Sequence, residues 1–143
     1  MSEKPTPRHV ADAWLLRAEG HLKTARHISL DPNLPSADAA FHAQQVAELS
    51  LKAFLLRHGH TVARTHDLVA LVRECQDIYP YFREFTAQAT SLGAYAVEAR
   101  YPPLGLTVSR EDAAEAIATA DKIYSAVRAR FGPTDVSSGS ASP

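Results

Sequence analysis

The sequence predicts an all-α fold, an up-and-down bundle of five helices. Three observations carry that expectation. Apolar residues recur at steps of three and four along five separate stretches. The prolines fall between those stretches rather than inside them. No segment reads as a strand, since Leu104–Val108 is too short and too interrupted.

Each element follows from its own residues. From about His9 to Ser29 the stripe is Ala11, Trp14, Ala18, Leu22, Ala25 and Ile28, and Asp31-Pro32-Asn33-Leu34-Pro35 ends it. Ser36 is the expected N-cap of a second helix running to about Arg57, some 33 Å long, with Gly59 as its stop. Thr65 is the expected cap of a short third helix bearing Leu68, Leu71, Val72 and Cys75. Pro80 marks the break before a fourth, with Phe82, Phe85, Ala89, Leu92 and Ala96 on one side. After the Pro102-Pro103-Gly105 loop, Ser109 and Asp112 form a capping pair for the fifth, whose stripe is Ala113, Ile117, Ala120, Tyr124, Val127 and Phe131. The domain organisation is a flexible lead-in at 1–8, one bundle at 9–131, and a disordered tail at 132–143.

Composition narrows the function classes. A chain of 143 residues with 45% apolar content suits one domain with one core. The net charge of −1, from 15 Lys+Arg against 16 Asp+Glu, gives no general basic field for nucleic acid. A single cysteine excludes an internal disulfide framework and fits a reducing cytoplasm. The first residues lack an apolar leader segment, and no run is long enough to span a bilayer. A soluble cytoplasmic domain is the expectation.

The second helix is apolar on nearly every side, which places it at the centre of the bundle or at an oligomer interface. Only Gln45, Glu48 and Lys52 form a polar strip. The simplest reading is a Glu48–Lys52 pair facing water; the others are a ligand or partner surface and a buried network. Gln44, on the apolar side, requires hydrogen bonds from the turn near Thr65 or from a second subunit.

Four ordered motifs stand out: Trp14-Leu15-Leu16-Arg17-Ala18-Glu19; His42-Ala43-Gln44-Gln45 with Glu48 and Leu51-Lys52-Ala53; Arg64-Thr65-His66-Asp67-Leu68; and Tyr95 with Ala99-Arg100-Tyr101-Pro102. Together, over roughly Ala13 to Tyr101, they resemble the HEPN family of small helical domains. The resemblance implies a dimerising bundle of four or five helices encoded beside, or fused to, a minimal nucleotidyltransferase. It also implies either nucleotide binding or metal-independent RNase activity within a toxin–antitoxin pair. The catalytic form of the family carries an arginine, four to six residues, then a histidine that acts as base or acid on a ribose 2′-hydroxyl. None of the seven histidines here has an arginine at that spacing; Arg17 and His21 fall one residue short, on what reads as an exposed part of the first helix. That departure argues against RNA as a substrate.

Other residues carry competing readings. Arg64 and His66 lie where the third helix begins, so they either clamp an anion there or belong to ordinary capping by Thr65 and Asp67, with His66 tying the turn to the second helix. Arg100 and Tyr101 either meet a phosphate and a base or pack their loop, Arg100 pairing with Glu48 or Glu98. His58, His60, His66 and His42 have no carboxylate or cysteine at metal-ligand spacing, so no metal is expected. Cys75 reads as core, and no glycine-rich phosphate loop is present, so no cofactor is expected. The leading expectation is a non-catalytic nucleotide- or partner-binding homodimer serving a separate nucleotidyltransferase, with Gln45, Glu48, Lys52, Arg64, His66, Arg100 and Tyr101 as candidate ligand residues. Its rivals are an RNase toxin using Arg100 with His42 or His66 as base, and a purely structural dimer.

Overall fold

The structure, a computed structural model, describes residues 7–62, 64–96 and 107–131. Among them are five α-helices and no strand: α1 (Pro7–Leu30), α2 (Ser36–Arg57), α3 (Leu68–Ile78), α4 (Thr86–Gly93) and α5 (Arg110–Phe131). Two 3₁₀ segments, Pro80–Phe85 and Ala94–Ala96, flank α4. The three long helices α1, α2 and α5 pack on one another, while α3, Pro80–Phe85 and α4 cluster against α2. α2 is therefore the central helix, and its burial on nearly all sides follows from having neighbours all round.

Local chemistry sets the boundaries, with three departures from expectation. α1 begins at Pro7, two residues early, because proline is tolerated in a first turn where its missing N–H has no helical partner. Ser36 is the first residue inside α2 and not its cap; extended Pro35 takes that position, and its carbonyl accepts from Asp38 N at 3.1 Å. The fourth helix is not continuous. Its first six residues wind as 3₁₀, whose three-residue turn sets Phe82 and Phe85 one above the other, both buried against the core. At the end of α2, Gly59 takes φ 82°, a left-handed turn open to glycine, while Gly59 N and His60 N close onto Leu56 O and Leu55 O.

Ser109 and Asp112 form the expected capping box. Asp112 N donates to Ser109 Oγ at 2.9 Å, and Ser109 N donates to Asp112 Oδ2 at 3.0 Å. Substituting Ser109→Ala is expected to destabilise the domain by about 1 kcal/mol in urea unfolding. Asp112→Asn, which keeps an acceptor, should cost less; equal stability of all three proteins would show that the box is not formed in solution.

Candidate functional site

The polar strip of α2 is buried. Glu48 and Lys52, four residues apart, have side chains only 5% and 10% exposed, with Lys52 Nζ donating to Glu48 Oε2 at 2.9 Å. Gln44, one turn earlier and wholly buried, donates through Nε2 to Glu48 Oε1 at 3.1 Å and accepts from Gln45 Nε2 at 2.7 Å. His66 reaches across from the turn before α3, and its Nδ1 lies 2.9 Å from the same Glu48 Oε1. An ionised carboxylate only accepts, so His66 Nδ1 carries the hydrogen in this bond. Thus three donors surround one buried carboxylate.

This arrangement corrects two expectations. The Glu48–Lys52 pair does not face water: both residues are buried, and His66 from the turn before α3 bonds to Glu48 on that side of α2. Gln44 finds its partners along its own helix, at one and four residues, and not in the turn near Thr65. Burial alone pushes the Glu48 pKa up. The bonds from Lys52, His66 and Gln44, with the Lys52 charge, outweigh it and hold the carboxyl below its ordinary 4.5.

The same turn shapes the N-terminus of α3. Asp67, not Thr65, is the N-cap, its carboxylate accepting from Ala70 N at 3.1 Å. Thr65 Oγ1 instead accepts from Asp67 N at 3.0 Å, a side-chain turn that sets up the cap. Arg64 is exposed, and the His66 side chain is 70% exposed, so Glu48 fixes the imidazole by one nitrogen and leaves the rest of the ring outward. Gln45 is half-buried at the edge of the network. The structure thus gathers Gln45, Glu48, Lys52 and His66, with Arg64 on the same turn as His66. Arg100 and Tyr101 lie outside the described residues.

A second cluster was missed. His21 is half-buried, not exposed, and its Nδ1 lies 2.9 Å from Nδ1 of His42 on α2. The rings stand 5.1 Å apart, and the Phe41 ring meets His42 edge-on. Nothing in the spacing signals this pair, since 21 residues separate the two and only the α1–α2 register brings them together.

The HEPN domain family matches residues 11–130 of this chain. The chain belongs to that family. Among solved structures, TT1696 from Thermus thermophilus is similar, with 28% identity and a TM-score of 0.75 over 84% of this chain and 97% of that one. No curated protein matches. In this HEPN domain no helix among the described residues is long and apolar enough to cross a membrane. Cys75 is core: its thiol is wholly buried, faces Leu51 O, and is pushed far up from its ordinary pKa by burial and by Glu74.

The histidine pair gives the HEPN domain a predictable acid response. Burial, then the neighbouring His42 and Arg17, lower the His21 pKa below 6.5; burial lowers that of His42 despite the opposing effect of Asp38. Folded values below the unfolded ones mean that protons favour the unfolded chain. Their contribution is complete above about pH 6.5 and is lost as pH falls through the folded values. Glu48, also depressed, adds a second loss below its ordinary 4.5. Melting temperature is expected to decline in the first window for the native protein, and His21→Gln should flatten that decline while leaving the second. An unchanged first window in His21→Gln would remove the pair as its cause.

Proposed function

We propose that this HEPN domain is the non-catalytic member of a two-protein system, binding a nucleotide or docking a separate minimal nucleotidyltransferase, in a toxin–antitoxin pair. The observation that carries this reading is the Glu48-anchored turn. A buried, hydrogen-bonded carboxylate fixes one nitrogen of His66 beside the exposed Arg64 at the α3 N-terminus, where the arginine is the donor suited to a phosphate or an acidic partner surface. The missing Arg–His spacing supports a binding role over a cleaving one. The domain works as a homodimer in this reading, with the exposed Leu16 and Leu30 of α1 offering apolar contact to a second copy. Native mass spectrometry of the protein isolated gently from its own cells tests the proposal. A nucleotidyltransferase in the complex, or a nucleotide mass on a tyrosine, is the expected result. A bare homodimer, with no nucleotide-induced rise in melting temperature, favours the purely structural dimer and overturns the proposal.

One observation favours a second reading. A carboxylate that fixes an imidazole through Nδ1 leaves Nε2 free to take a proton, the layout of a general base. His66 then serves a metal-independent RNase with a non-standard site. His42 lacks that layout, since an imidazole and not a carboxylate meets its Nδ1. Incubation with structured and unstructured RNA in chelator decides it: cleavage lost in His66→Ala supports the RNase, and no cleavage above buffer removes it.

A further inference from the structure

A cleft of about 440 Å³ opens between α4 and the first half of α5, apart from the site above and with no part in it. Its volume lies within the range of small-ligand sites. Over an apolar floor it gathers six polar side chains: Gln88 and Ser91 of α4, Tyr95, and Asp112, Glu115 and Thr119 of α5. Of these, Asp112 is engaged by the Ser109 capping box, while the side chains of the other five make no hydrogen bond to the described residues. Thr119 is the most informative. It is only 8% exposed, yet its hydroxyl has no partner among the described residues, although helical threonines readily bond the carbonyl one turn back. Its oxygen is not sealed in the core but reaches the cleft, where it is open to a bond with whatever enters the space.

The charge of the cleft states which occupant. Among the described residues Asp112 and Glu115 are its charged lining groups, and no lysine or arginine of theirs lines it. The Tyr95 phenol is held above its ordinary pKa by burial and then by those two carboxylates, as expected for an electronegative wall. The N-terminus of α5 contributes roughly half a positive charge, less than the two carboxylates oppose to it. A nucleotide phosphate is repelled here. We propose that this cleft binds an organic cation, a protonated amine or guanidinium on a short aliphatic stem, held by Glu115 and Asp112 and by the Thr119 hydroxyl. The stem lies on the apolar floor, and Gln88, Ser91 and Tyr95 supply further acceptors.

Calorimetric titration tests this with two probes, spermidine for a free polyamine and N-acetylarginine amide for a side chain of a partner protein, at about 0.15 M salt, where diffuse attraction is screened. Saturable binding is expected for at least one probe, about tenfold weaker in Glu115→Gln, which loses a charge-assisted contact. It should also weaken in the near-isosteric Thr119→Val. Circular dichroism confirms that both variants fold, Glu115 being exposed. Tighter binding of spermidine assigns the cleft to a free polyamine, and tighter binding of the arginine derivative to a protein side chain. No saturable binding of either probe overturns the proposal. So does binding that either variant leaves undiminished, which marks diffuse attraction to the surface. Neither result bears on the nucleotidyltransferase reading, whose residues lie elsewhere.

Discussion

Glu48→Gln is expected to destabilise the domain by about 3 kcal/mol, the lower end of the 3–5 kcal/mol typical when one partner of a buried ion pair is removed. Glutamine keeps the size of the side chain and one acceptor oxygen for Gln44 or His66. It removes the negative charge 2.9 Å from Lys52 Nζ and so strands an ammonium in a side chain 10% exposed. The lower end applies because that ammonium sits at the end of a flexible stem and can shift toward water. Lys52→Met should cost less, about 2 kcal/mol, since the carboxylate keeps its bonds from His66 and Gln44. The double variant Glu48→Gln, Lys52→Met should fall well short of the sum of the two, with a coupling of about 1–3 kcal/mol. Urea unfolding of the four proteins measures it. Additive losses of a few tenths would mean that the pair is solvated, as an exposed helical pair behaves.

The same cycle bears on function, because Glu48 holds His66. In Glu48→Gln the charged acceptor that orients His66 is gone, and the ring is freed to other rotamers. A partner or nucleotide that docks on the α3 turn should then bind more weakly even at temperatures where the variant is folded. Lys52→Met, which leaves the His66 bond intact, should bind normally. Stability and binding therefore separate across the two single variants, which distinguishes a positioning role for Glu48 from a purely structural one.

How much of this was legible follows from the range over which each interaction acts. The stripes of α3 and α5 appear in the core as the three-and-four spacing requires, Leu68, Leu71, Val72 and Cys75 on one and Ala113 through Phe131 on the other. The Ser109–Asp112 box was legible because both partners lie within one turn. Thr65 and Asp67 were not resolved from each other, since both residue types cap helices and they stand two positions apart. Fates set by tertiary contact were hidden. Periodicity shows Glu48 and Lys52 four apart, but not that both are buried and that His66 from the turn before α3 bonds to Glu48. It shows α2 apolar on nearly all sides, but not the register against α1 that brings His21 to His42. The break of the fourth helix into 3₁₀ and α segments escapes it too, because spacings of three suit both windings.

Phe54→Ala is expected to cost about 3–5 kcal/mol, the range for emptying a large aromatic from a packed core. Phe54 is 1% exposed on α2, with its ring 4.7 Å from that of Phe82 and 4.3 Å from that of His58. Phe82 in turn meets Tyr79 and Phe85, so Phe54 is the contact through which the Pro80–Phe85 segment grips the central helix. A six-residue 3₁₀ winding has little stability of its own. Removing its anchor should therefore loosen it before the rest of the bundle, and hydrogen exchange at Phe82 and Phe85 should rise more than at Ile123 or Val127 of α5. Phe54→Leu refills most of the volume and should cost about 1 kcal/mol, with exchange little changed. A loss below about 1 kcal/mol in Phe54→Ala would place this ring outside the core and remove the aromatic cluster as the tie between α2 and the Pro80–Phe85 segment. If the loss and the local exchange both appear, the bundle has two separable fastenings on α2: a polar one at Glu48 that presents the α3 turn, and an apolar one at Phe54 that holds the segment after it.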